Sequence, residues 1–181
     1  MKHLFRITTR PFRLSGLAAS LLLGGLASVA AAQGQTDNHD LQFTANLGAP
    51  RMIAQTKVGV LAHPGPSNTW VQLTAGVITI PAGQTGYLLT TYSGESLCAG
   101  TSGWCAVRVL VNGAESNPIV GSNFAFDSAD VDGWESHSIQ RISRLLGAGT
   151  YTVEVQWLYT AAGINDQLDD WLFQVEYRRA S

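Results

Sequence analysis

The stretch from Trp134 to Tyr177 constrains the fold more than any other part of this chain. Within it Tyr151, Val153, Val155, Trp157 and Tyr159 fall on one side of a strand, and Thr152, Glu154, Gln156 and Leu158 on the other. That is the period of two required of a half-buried strand. A second strand repeats the pattern with Trp171, Phe173, Val175 and Tyr177 on one face. Two aromatic faces of this kind can be hidden only against each other or against a second sheet. No segment of ten or more residues carries a helical stripe with caps. The spacing therefore predicts an all-β chain: a two-sheet antiparallel β-sandwich of jelly-roll type with eight to ten strands.

The N-terminus predicts the compartment. Lys2, Arg6, Arg10 and Arg13 precede an apolar run from Leu14 to Val29 that ends in Ala30, Ala31 and Ala32. This is the pattern of a secretory signal peptide over residues 1–32, with cleavage after Ala32. Residues 33–50 lack a sustained period and read as an N-terminal arm, in which Leu41 and Phe43 could add a short edge strand. Residues 51–181 are then expected to form a single jelly-roll domain, secreted or periplasmic, with no membrane association once the signal is cleaved. All 13 acidic residues follow residue 32, whereas four of the 11 basic ones precede it, so the mature part is more acidic than the whole chain's formal charge of −2. A nucleic-acid partner, which demands a basic patch, is not expected.

Along the domain, Met52 to Leu61 reads as a strand stopped by the prolines of His63-Pro64-Gly65-Pro66. Trp70 to Leu73 and Val77 to Ile80 read as two short strands separated by Thr74, Ala75 and Gly76, and Tyr87 to Ser96 as a longer one. Trp104 to Val111 ends at Asn112-Gly113, whose residues tolerate the positive φ of a type I′ hairpin turn. Ala114 to Val120 is expected to pair back, with Pro118 marking a strand end. Residues 124–133 read as a loop.

Two features carry chemistry. Cys98 and Cys105, the only cysteines, are separated by six residues in a chain with an export signal, which predicts a disulfide. The loop containing Asp127, Asp130, Asp132 and Glu135 places four carboxylates within nine residues. It reads either as a solvated acidic turn or as a hard-cation site. Calcium is the ion it would take, and no cofactor is otherwise required. Adjacent Asp169 and Asp170, on a regular strand, would point to opposite faces.

Enzyme signatures are weak. Ser93-Gly94-Glu95-Ser96 lacks the spacing of a nucleophile elbow. His39, His63 and His137 are far apart in sequence and offer no paired zinc ligands. Glycoside hydrolysis would require two carboxylates across a cleft, for which Glu95, Glu154 and Glu176 are the strand-borne candidates. Five tryptophans suggest a further function, because flat aromatic faces stack on sugar rings. Trp157 and Trp171 fall in the apolar phase of their strands and are expected in the core. Trp104 and Trp134 lie at strand edges beside loops and are the candidate ligand-binding residues; Trp70 is open.

The segments GESLCAGTSGWCAVRVLVNGAESNP, FAFDS, WESHSIQRI, LGAGTYTVEVQW and LDDWLFQVEY, between Gly94 and Tyr177, resemble a group of exported bacterial proteins of unassigned function. The terminal aromatic strand after AGTYTV is also similar to the jelly-roll heads of the complement-component and tumour-necrosis-factor-like superfamily. That likeness implies extracellular protein recognition and a homotrimer, and brings no catalytic residues. The resulting expectation is a non-catalytic extracellular module for binding or assembly, using end loops around residues 98–105 and 127–135. A carbohydrate-binding module, with or without calcium, is the alternative, and a small glycan-active hydrolase the third reading.

Overall fold

The computed structural model describes residues 41–45, 52–129 and 133–180, all within one compact unit spanning Gly34–Ser181. The predicted signal peptide, most of the arm, and Asp130 and Asp132 lie outside the described residues. Eleven strands are present among those described: β1 Leu41–Ala45, β2 Met52–Lys57, β3 Leu61–Ala62, β4 Val71–Ile80, β5 Gly86–Ala99, β6 Trp104–Val111, β7 Ala114–Glu115, β8 Asp127–Ser128, β9 Glu135–Ile142, β10 Gly149–Tyr159 and β11 Asn165–Arg179. Three of them, β3, β7 and β8, are two residues long.

The strands form two antiparallel sheets. The first has the order β1-β2-β11-β5-β9, with β3 also on β11; the second has the order β4-β10-β6-β7, with β8 also on β6. The chain repeatedly leaves one sheet for the other, so sequential strands are rarely neighbours, as in a jelly roll. The core lies between the inner faces. Ile53, Leu88, Tyr92, Phe173, Val175 and Tyr177 come from the first sheet, and Ile78, Val107, Val109, Val153, Val155 and Trp157 from the second. The two aromatic faces read from the sequence thus meet across the sandwich.

The arm residues Leu41 to Ala45 pair with β2 as an edge strand. The Asn112-Gly113 turn takes positive φ at both residues, 46° and 79°, as its composition predicts.

Three local expectations are corrected. Thr74, Ala75 and Gly76 do not break the chain into two strands; β4 runs unbroken through them. Gly76 is there for packing: a Cβ would lie 3.2 Å from the Phe173 ring of the facing sheet. Pairing after the hairpin stops at Glu115 instead of continuing to Val120. The Glu115 carboxylate turns back to accept the N–H groups of Val120 and Gly121, both at 3.0 Å, and Asn117 crosses to bridge Ile142 of β9. Finally, Asp169 and Asp170 do not alternate across a regular strand. The register moves from Asp169↔Glu95 to Leu172↔Ser93, so Asp170 and Trp171 together face Gly94 in a bulge. Asp170 adopts φ 42°, its N–H donates to Asp169 Oδ1 at 2.8 Å, and Leu168 and Trp171 both point inward although three residues apart.

Candidate functional site

One end of the sandwich is built by the segment from Cys98 to Cys105 and the short strand β8. The disulfide joins Cys98 at the end of β5 to Cys105 at the start of β6, so it links the two sheets to each other. Beside it Ala129 and Ile164 form a small second core. Strand β8 lies on the first residues of β6, with Trp104 opposite Ser128 and Cys105 opposite Asp127, and the Ala129 N–H donates to Gly103 O at 3.1 Å. The two loops expected to act together are therefore in contact.

Asp127 is not a solvated turn residue. It is 6% exposed, and its Oδ2 accepts the hydroxyl of buried Ser96 at 2.7 Å. Glu135 and His137 arrive from the start of β9. They face the same way as buried Ile139 and Arg141 because residues two apart share a strand face. His137 Nε2 lies 3.3 Å from Glu135 Oε2 and 3.6 Å from Asp127 Oδ1. One ligand atom from each of the three side chains falls within 4.8 Å of the others. The Nε2 atom is buried and makes no hydrogen bond, and the imidazole packs 5.2 Å from the Phe126 ring.

Deeper in the same end, Asp166 of β11 pairs in register with Cys98 and is 4% exposed, with both carboxylate oxygens unpartnered. Desolvation, reinforced by the charge of Asp127, raises its pKa to about 7. Tyr92, wholly buried and with its hydroxyl unpartnered, is raised well above the ordinary phenol range by burial first and by Asp166 second. Its ring contacts Phe126 and Trp171. Buried polar groups thus sit at the end of the sandwich where the disulfide joins the two sheets.

The tryptophans divide largely as expected. Trp157 and Trp171 are core residues at 3% and 6% exposure. Trp134, immediately before β9, is exposed. Trp104 is only half-buried and is held in place, its indole N–H donating to Ser122 O at 2.7 Å. Trp70 is covered by the Arg108 guanidinium, 4.2 Å from its ring centre. His63 packs against Trp157 and Tyr159, and its ring nitrogens bond to the backbone of Gly65 and to the Trp157 carbonyl, a structural role.

The strand-borne glutamates do not assemble. Glu154 projects from the outer face of the second sheet, since Val153 and Val155 beside it are fully buried, and it accepts from Gln156. Glu176 projects from the outer face of the first sheet, paired with Arg178 and Gln174. The sandwich, about 10 Å thick between sheets, separates them. Glu95 shares a sheet with Glu176, but Glu176 is opposite Leu89, six residues along β5 and so about 20 Å away.

What sequence reasoning missed was the histidine. Glu135-Ser-His137 places two ligand-type side chains on one strand face, and that spacing was legible. The approach of Asp127 was not, because it depends on β8 pairing with β6 in the other sheet. Among the described residues, no helix is long and apolar enough to cross a membrane. Compared with known families and with curated protein sequences, the chain matches no family model and no curated sequence.

Proposed function

We propose that this chain is an exported, non-catalytic jelly-roll module that binds an extracellular ligand through the end formed by residues 98–105 and 127–135. The observation that carries this reading is the fixing of residues 98–105 and Asp127–Ala129 into one surface, by the disulfide and the β6–β8 pairing, with Trp134 exposed at the start of β9. A preformed surface loses little entropy on binding. The disulfide fits an oxidising compartment, in keeping with export to a periplasm or beyond. The separation of Glu95, Glu154 and Glu176 favours binding over glycoside hydrolysis. A glycan is the ligand class that an exposed indole would serve, and calcium could assist through the acidic residues. Retention on insoluble polysaccharide or on a glycan array, lost in Trp134→Ala with the fold unchanged, is the expected result. Retention unchanged in that variant would defeat the reading.

A second observation favours assembly. At the far end Ile119, Leu145 and Ile142 are 68%, 54% and 41% exposed, beside a groove lined by Val111, Ala114 and Leu146. Together with the likeness to complement and tumour-necrosis-factor-like heads, this supports a homo-oligomer, with a trimer as the form implied. Sedimentation equilibrium should give a mass of three chains, reduced by Ile119→Asp; a monomer at all concentrations would exclude it.

A further inference from the structure

The three side chains at the mouth of the polar end have a spacing that hydrogen bonding does not explain. His137 Nε2 is 3.3 Å from Glu135 Oε2 and 3.6 Å from Asp127 Oδ1, yet this buried nitrogen forms no hydrogen bond. Well-formed N–H···O bonds are shorter, roughly 2.7–3.2 Å, and aligned. Ligands held at about 2.0–2.2 Å in a tetrahedron lie roughly 3.3–3.6 Å from one another. The two separations from Nε2 are those of neighbouring ligands, and all three ligand atoms lie within 4.8 Å of one another, close enough to converge on one ion.

A second, independent observation points the same way. Asp166 is buried on the same end with both oxygens unpartnered; it lies opposite Cys98, whose disulfide partner Cys105 lies opposite Asp127. Two carboxylates, Asp127 and Glu135, therefore converge on one imidazole, with the unpartnered Asp166 on the same end behind Asp127. The donor set also selects the ion. Calcium takes six to eight oxygen ligands, whereas an imidazole with a few carboxylate oxygens suits zinc and its first-row neighbours.

We propose that Asp127, Glu135 and His137 bind one divalent ion of the zinc class, leaving a fourth position open to water or to an oxygen of a bound molecule. The site joins β8 of one sheet region to β9 of the other, and Ser96 orients Asp127 through its hydroxyl, as outer partners of metal ligands do. This inference rests on the three side chains and not on the identity of the extracellular ligand.

The test uses untagged protein freed of metal by chelator, titrated with cobalt(II) as a spectroscopic probe and then with zinc in competition. One equivalent should give the visible absorption of four-coordinate cobalt, and zinc should displace it. Zinc should raise the melting temperature more than calcium at equal concentration. His137→Ala should weaken zinc binding by at least about tenfold, as should Glu135→Gln. Glu135 is exposed at a strand end, so Glu135→Gln keeps the fold, as circular dichroism will register. Trp134→Ala should retain the ion even where it loses glycan, which separates failure of this site from failure of the binding reading. Zinc affinity unchanged in both ligand variants, or calcium bound as tightly as zinc, would overturn the proposal.

Discussion

The hydroxyl of Ser96 donates to Oδ2 of Asp127 across 2.7 Å, and both residues are buried. Ser96 belongs to β5 of one sheet and Asp127 to β8 of the other, so this bond, like the disulfide, crosses the sandwich. Ser96→Ala would leave a buried carboxylate short of a donor. A charge-assisted bond of this kind contributes about 1.5–3 kcal/mol. Urea denaturation in chelator should show a loss of that order, and a loss below about 0.5 kcal/mol would mean that Asp127 finds another donor.

The disulfide closes a short loop between Cys98 and Cys105. In the chain-entropy account a loop of this length stabilises by about 2.5 kcal/mol through its effect on the unfolded chain. The double variant Cys98→Ser, Cys105→Ser should remain folded but lose stability of that order in equilibrium unfolding.

Asp166 makes stability depend on pH. Its carboxyl titrates near 3.8 when the chain is unfolded and at about 7 when folded without metal. As pH rises through that window the unfolded chain gives up a proton that the folded one keeps. The native state then holds more protons, and stability falls with rising pH until about 7, where the slope vanishes. Asp166→Asn should remove this slope. The variant should gain on the native protein as pH rises from 4 to 7, by up to about 4 kcal/mol. Parallel profiles for the two proteins in chelator would refute the assignment.

Gly94 faces the bulge, where an added Cβ would meet Trp171 Cβ at 2.8 Å and Asp169 O at 3.3 Å. Neither contact is with the tip of a flexible side chain. Gly94→Ala should therefore destabilise by about 1–3 kcal/mol, the usual cost of overpacking, measured by thermal melt. An unaltered melt would show that the bulge can shift.

How far the sequence could be read depends on the range of the interaction. Alternation in β10 and β11 placed Val153, Trp157, Phe173 and Tyr177 in the core, because strand periodicity is a local property. The Cys98–Cys105 pairing was legible because no other partner exists. Gly76 misled because glycine marks both turns and close packing, and only the facing Phe173 ring decides which. Asp169 and Asp170 misled because a bulge depends on the residue across the ladder, here Gly94. The assembly of Asp127 with Glu135 and His137 depends on β8 and β9 meeting from different sheets, and no local pattern records it.

Because Cys98 and Cys105 tie one sheet to the other at one extremity, the two layers can separate only at the opposite extremity, like the blades of shears held at the pivot. Spontaneous opening should start where β9 meets the segment after β7. Amide deuterium uptake would then run as a gradient along β5, fast near Leu88 and slow near Cys98, and reduction of the bridge should level it.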